Sequence, residues 1–570
     1  MNIEEMSEAA QQERIEQLER VQKIGVALSA ERDRSRLLEM ILLEAKNLCH
    51  ADGGTLYLRT DNDHLKFAIM RTDSLHIALG GTTGKEITIP PLAMMDPESG
   101  EPNHHNVATH TALLKKMVHI PDAYNATGFD FSGAKNFDEQ NNYRSTSFLN
   151  VPLVNSKDRV IGVLQLLNAR NPNTNELCPF PEEHQRIVAA LSSQAAVALD
   201  NQMLLDEQKE LLESFIKMIA SAIDAKSPYT GKHCERVPIL TEMIAKVACE
   251  VSSGPFKDFD LSEEKWYELH IAAWLHDCGK VVTPVHVMDK ATKLESIHDR
   301  IELVETRFAI ACQEVETNYW KDIAQNTDTP EVLKGKRDTT LKELEDDLAF
   351  LKTANTGGEF IRDEDRERIQ GIGRKVCMQN GKETPLLSEN EVYNLIIARG
   401  TLTNEERLII NGHMVETIKM LQALPFPRNL RRVPEYAGGH HEKMDGRGYP
   451  KGIFAGDMSI PSRIMAIADV FEALTAADRP YKKGKTLSEA IKIMGFMKKD
   501  NHLDPQLFDL FIQSGVYKDY ANKFLPESQI DEIDAEAALA VQPKEYELPN
   551  KDERDKRWAD FLPEYLETSS

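Results

Sequence analysis

Between Pro181 and about Asp224 the chain contains no glycine and no proline, and Leu191, Ala198, Leu205, Leu212 and Ile219 recur seven residues apart. A run of this length and period describes one long helix with an apolar seam. Gln194, Asn201 and Gln208 interrupt the seam with polar groups that weaken it and can fix its register. Two arrangements satisfy the pattern: an amphipathic helix packed on its own domain, or a parallel dimer. We read a coiled-coil linker over residues 191–225 that joins two parts of different chemistry and pairs two copies of the chain.

Before the linker the period changes. Residues 1–25 belong to an N-terminal helix with Ile15, Leu18 and Val21 at helical spacing, and a second helix is expected from Asp33 to Cys49. The stretch GGTLYLRTDNDHLKFAIM alternates around a polar turn, which is a hairpin pattern. STSFLNVPLVNSKDRVIGVLQLLNA repeats it, with Asn155 to Asp158 as the turn. Helix, strands and a closing helix make an α+β domain over residues 26–190. The region resembles the GAF family of small-molecule sensors through HIPDAY (119–124), YRSTSFLNVPL (143–153) and VIGVLQLLN (160–168). Family members that bind cyclic nucleotides tend to carry Asn-Lys, then Phe, then Asp-Glu. Here Asn168 is followed by Ala169, and Phe180 leads to Glu182-Glu183, so a GAF ligand stays unassigned.

Composition narrows the functional classes. A formal charge of −24 over 570 residues argues against a nucleic-acid-coating or membrane-surface protein, both of which need a basic face. No apolar run approaches the length of a membrane span, and the acidic start lacks the features of a signal peptide. The seven cysteines form no CxxC pair, which fits free thiols in a reducing compartment, and the expected location is cytoplasmic.

After the linker, histidines and aspartates collect. IAAWLHDCGK sets His276 and Asp277 at the end of an apolar run, where each could hold a metal, or the carboxylate could bridge two. The stretch GGHHEKMDGRGYPKG is too rich in glycine for a helix or strand and reads as a loop carrying His440 and His441. With His233, His413 and Asp469 the set reaches seven imidazole and carboxylate donors. That mixture suits Fe, Mn or Zn, and seven donors exceed the needs of one tetrahedral ion, so two divalent metals are implied.

The same residues lie in TGKHCERV (230–237), HDCGK (276–280), LTNEERLIINGH (402–413), HHEKMDGRGYPKG (440–452) and SRIMAIADVFEALTAADRPYKK (462–483). Five ordered motifs over this span are similar to the HD-GYP family, the all-α HD-type metal phosphohydrolases that hydrolyse cyclic di-GMP. The resemblance implies that His233, His276, Asp277, His413, His440, His441 and Asp469 hold two ions, Fe or Mn foremost, with Asp277 bridging. It implies Lys280 as the catalytic cation facing the scissile phosphate. Gly448, Tyr449 and Pro450 would shape the substrate loop, and Arg479 and Lys482 would meet the second phosphate. In-line hydrolysis would yield linear pGpG and, with further cleavage, GMP. Glu442 is expected to orient a neighbouring ligand.

Three departures from the family pattern stand out. Tyr229 replaces a glutamate that some members use for a third metal, which favours a two-metal site. TAADRPYK is one residue longer than usual after Asp469, which loosens the placing of Arg479. The run from KATKLES at 290–296 is interrupted until GTLTNEERLIINGH at 400–413. The catalytic domain, residues 226–525, therefore carries an insertion over about 296–400. Its two apolar stripes, Ile301, Val304, Phe308 and Val315, then Leu341, Leu344, Leu348 and Leu351, describe a helical hairpin. Thr403 and Glu406 are spaced as a capping box that opens the helix closed by His413. Residues 526–570 read as an acidic, partly ordered tail.

The expected protein is thus multidomain: an α+β GAF sensor, a linker helix and an all-α phosphodiesterase of cyclic di-GMP. Two alternatives are a protein that senses the dinucleotide or docks a partner without turnover, and a phosphohydrolase of another cyclic dinucleotide.

Overall fold

A computed structural model describes residues 19–97, 99–226, 232–357, 360–476, 484–554 and 556. The chain divides into two compact units, 1–212 and 213–570. In the first, eight strands form an antiparallel sheet: β1 (Ala51–Arg59), β2 (His64–Thr72), β3 (Ile77–Gly80), β4 (Leu92–Ala93), β5 (Val118–Ile120), β6 (Phe148–Val154), β7 (Val160–Arg170) and β8 (Leu177–Cys178). The order is β3-β2-β1-β7-β6-β5, with β4 on β2 and β8 on β7.

Alternation along the strands sends side chains to opposite faces. Leu56, Leu164 and Leu166 join Leu37, Ile41 and Leu42 of the Arg34–Cys49 helix in one core, while Tyr57 and Val163 join Ala108 and Ala112 in another. Both hairpins expected from the alternation are present, and β1 and β6 each pair with β7.

Residues Glu182–Lys226 form one uninterrupted helix, as the missing helix breakers require. The heptad positions divide along it. Leu191 and Ala198 are buried in the core of the first unit beside Val188 and Leu199, whereas Leu205 is exposed. Packing on its own domain therefore accounts for the first part of the seam. Leu204, Leu205, Leu211, Phe215, Met218 and Ile219 lie exposed farther along.

Among its described residues the second unit is helical with one small hairpin. The inserted segment holds the two expected helices, Ile301–Gln325 and Pro330–Asn355. It continues into a third helix, Asp363–Gly373, a two-stranded hairpin (Val376–Gln379 with Lys382–Pro385) and a fourth helix, Glu389–Leu395. These pieces share one core that includes Val304, Phe308, Leu351, Ile369 and Leu386. The helical stripes thus read correctly, while the short hairpin carried too little periodicity to be seen.

The helix opened by Thr403 does have the capping box, but it runs from Asn404 to Gln422, so His413 sits in its middle. Gly412 is tolerated inside it because Met414, Thr417, Ile418 and Leu421 are buried along one face. The stretch 526–554 is docked. Gln529 donates to the carbonyls of Thr475 and Lys485 at 3.0 and 2.8 Å, and the Lys544 carbonyl accepts from Asn501 at 2.7 Å. No helix among the described residues is long and apolar enough to cross a membrane.

Candidate metal centre

All seven expected ligands come together in the second unit. His233 opens the helix His233–Glu250, and His276 caps the end of Glu263–Leu275. Asp277 leaves that helix (φ −109°, ψ 13°) as the chain tightens into a 3-10 turn over Cys278–Val282. His413 and Asp469 project from the middles of Asn404–Gln422 and Ile460–Thr475, and His440 and His441 follow the short helix Val433–Gly438. Gly279 makes the close approach possible: a Cβ there would stand 2.0 Å from the His413 carbonyl oxygen.

Asp277 is the hub. One carboxylate oxygen lies 3.2 Å from His276 Nε2 and 3.5 Å from His233 Nε2, and the other lies 3.2 Å from His413 Nε2. Asp469 reaches His233 Nε2 at 3.2 Å. His233, His276, Asp277 and Asp469 place ligand atoms within 4.8 Å of one another, and so do Asp277, His440 and His441.

The outer ring nitrogens establish which atoms are available. Nδ1 of His276, His413 and His440 donates to the carbonyl three residues back, at 2.8, 2.5 and 2.6 Å. A carbonyl only accepts, so the proton sits on Nδ1 and the Nε2 lone pair points inward. Nε2 of these three residues and Oδ1 of Asp277 are buried without a hydrogen-bond partner among the described residues. Buried polar atoms left open in this way carry a desolvation cost that a bound cation removes. Neutral imidazoles and carboxylates are the donors a divalent transition metal takes, and the residues fit such an ion.

Electrostatics agree with a cradle for positive charge. Burial opposes ionisation of Asp277, but Lys280 and His276 more than offset it and hold the carboxyl well below the usual range. Burial also opposes ionisation of Asp469, and the hydrogen bond from His233 with the nearby His440 hold it well below as well. Burial and His276 push His440 down to about 4, and burial with His440 takes His441 well below the ordinary histidine range. Both are therefore neutral donors near pH 7. Burial works against a charge on His233, yet Glu472 and the two aspartates outweigh it and raise it well above that range. Lys280 bonds the Asp277 carboxylate, and Asp277 and Asp469 hold its ammonium above the normal lysine range despite burial.

The glycine-rich loop wraps one side of the cradle. Tyr449 stacks on His441 with ring centroids 4.8 Å apart and planes 20° from parallel. A Cβ on Gly448 would lie 2.3 Å from the Lys443 nitrogen, which is why no larger residue fits there. Glu442 is buried beneath this loop. Its carboxylate accepts from the backbone N–H groups of Lys451, Gly452 and Ile453 at 2.7, 3.1 and 3.0 Å, pinning the loop that holds Pro450. Tyr229, Arg479 and Lys482 lie outside the described residues.

Sequence reasoning passed over Glu472, whose carboxylate bonds His233 Nδ1 and Arg236. The available signal was spacing: Glu472 follows Asp469 by three residues, and Arg236 follows His233 by three.

A family model described as HD domain matches residues 389–507, and one described as GAF domain matches residues 33–199. The chain carries a GAF domain and an HD domain. The HD match contains His413, His440, His441 and Asp469, while His233, His276 and Asp277 precede the inserted segment.

Over 115 residues the chain is 42% identical to 3'3'-cGAMP-specific phosphodiesterase 1 of Vibrio cholerae, covering 20% of this chain and 26% of that protein. Over 119 residues it is 37% identical to a cyclic di-GMP phosphodiesterase of Pseudomonas aeruginosa, covering 21% and 28%. Over 142 residues it is 34% identical to a probable cyclic di-GMP phosphodiesterase of Vibrio cholerae, covering 24% and 31%. The chain thus spans less than a third of the length of each of these relatives.

Proposed function

We propose that the protein is a metal-dependent phosphodiesterase of the HD-GYP type that opens cyclic di-GMP to linear pGpG. The observation that carries this reading is Asp277, whose two oxygens address separate groups of donors. Two divalent ions, Fe or Mn, would be held on the one side by His233, His276 and Asp469 and on the other by His413, His440 and His441, with Asp277 common to both. Bound there, such ions supply Lewis acidity and lower the pKa of water.

The protein's own groups orient the phosphate. Lys280 stays an ammonium because two carboxylates face it, so it serves as a cation beside the phosphate and not as a base. The loop of Gly448, Tyr449 and Pro450, pinned by Glu442, forms a wall against which a nucleotide can rest, with Arg479 and Lys482 for the second phosphate. The GAF domain modulates this activity. The exposed apolar residues from Leu204 to Ile219 support a homodimer through the linker helix, and the free thiols suit a cytoplasmic protein.

Purified full-length protein with Mn(II) or Fe(II) is given cyclic di-GMP and 3'3'-cGAMP in parallel, and products are separated by chromatography. Conversion of cyclic di-GMP to pGpG is the expected result. Binding without turnover overturns the enzyme reading. Hydrolysis of cGAMP alone favours the second reading, which the Vibrio cholerae relative named for that substrate supports.

A further inference from the structure

The helices His233–Glu250 and Ile460–Thr475 each present two polar residues three positions apart to the cradle: His233 and Arg236 on one, Asp469 and Glu472 on the other. Asp469 faces His233 Nε2 at 3.2 Å. Glu472 takes the opposite edge of the same ring, accepting from His233 Nδ1, and its second oxygen accepts from Arg236 Nε at 2.6 Å. The Glu472 side chain is only 1% exposed.

This arrangement sets His233 apart from His276, His413 and His440. Those three rings are held by the carbonyl three residues back, a partner that the helix itself provides. His233 is the first residue of its helix and has no preceding turn to supply one. A side chain from another helix does the work, and it brings a full negative charge.

We propose that Glu472 is a positioning residue of the metal centre. It fixes the ring orientation and tautomer of His233 and strengthens Nε2 as a donor, while Arg236 holds the Glu472 carboxylate in place. The inference rests on reading the cradle as a metal site.

Two substitutions separate positioning from a structural ion pair. Glu472→Gln and Arg236→Gln both break the Arg236–Glu472 pair, but only the first removes the carboxylate from His233. Calorimetric titration of the full metal-free chain with Mn(II) should show one class of sites weakened roughly 10- to 100-fold in Glu472→Gln. Arg236→Gln should stay within about threefold of wild type. Equal weakening in both variants, or no change in Glu472→Gln, overturns the proposal.

A wild type that binds no Mn(II) overturns the metal-site reading itself, a failure visible before any variant is made. Should Glu472→Gln fail to fold, nitrogen-15 NMR of wild type loaded with Zn(II) decides the matter. A His233 protonated on Nδ1 and bound through Nε2 supports the proposal, and the reverse pattern overturns it.

Discussion

Two of the buried charge networks in the second unit are built on opposite terms. In and beside the inserted segment, Lys290, Lys293 and Asp347 are each closed by protein. Lys290 Nζ meets Asn394 at 3.0 Å and both Glu406 oxygens at 2.9 and 2.8 Å. Lys293 Nζ meets the carbonyls of Leu395 and Ile397 at 2.9 and 3.0 Å, and Asp347 takes Arg368 and Lys375 at 2.9 and 2.7 Å. In the metal cradle three imidazole nitrogens and a carboxylate oxygen are left open at the same depth. Buried charge alone therefore does not mark a site. Metal-binding atoms left without partners and converging on one point do, because a single bound ion offsets the desolvation of all of them together.

The hardest break in this contrast is Asp277→Asn, which removes the charge shared by both donor groups. It should lower kcat on cyclic di-GMP by roughly 10³-fold, measured with saturating Mn(II). Unchanged activity would remove Asp277 from the bridging position.

Lys290→Met tests the closed network. It removes the ammonium that meets both Glu406 oxygens, leaving the Thr403 N–H on that carboxylate, and should cost about 3 kcal/mol in denaturant unfolding, with Mn(II) affinity within about twofold of wild type. A collapse of metal affinity would mean that the two networks are one.

Metal addition tests the open network from the other side. Mn(II) at a hundred times its Kd should stabilise the chelator-stripped protein by about 2.7 kcal/mol, and a closed cradle would gain nothing.

The smallest effect concerns Glu268, a case between the two. It accepts from the Arg432 backbone N–H at 2.6 Å, yet burial pushes its carboxyl up to about 7. The folded state then holds a proton that the unfolded state releases above pH 4.5, so this contribution to stability is lost as pH rises toward 7. Glu268→Gln should cancel that slope, gaining about 2 kcal/mol on wild type between the two pH values. Parallel curves for the two proteins would show that Glu268 is ionised when folded.

Local rules made much of this legible. The absence of helix breakers after Pro181 predicts Glu182–Lys226, and the spacing of Thr403 and Glu406 predicts the cap of the helix that carries His413. The inserted segment was located by the interruption of a motif, and its first two helices by their apolar stripes. Its hairpin at 376–385 was not, because four-residue strands show too few alternations to stand out.

By itself the sequence offered seven imidazoles and carboxylates in ordered motifs as candidate metal ligands, since these groups carry their chemistry wherever they are placed. It also determined the long helix and the antiparallel hairpins, which depend on neighbours a few positions away. Tertiary structure alone decided which atoms stay open. Whether Nε2 of His276 points into the cradle depends on the Ala273 carbonyl, and whether His233 does so depends on a glutamate 239 residues away. It also divided one heptad pattern between a domain core at Leu191 and an exposed face at Leu205. A hydrophobic period says that a face will be covered, but only packing says by what.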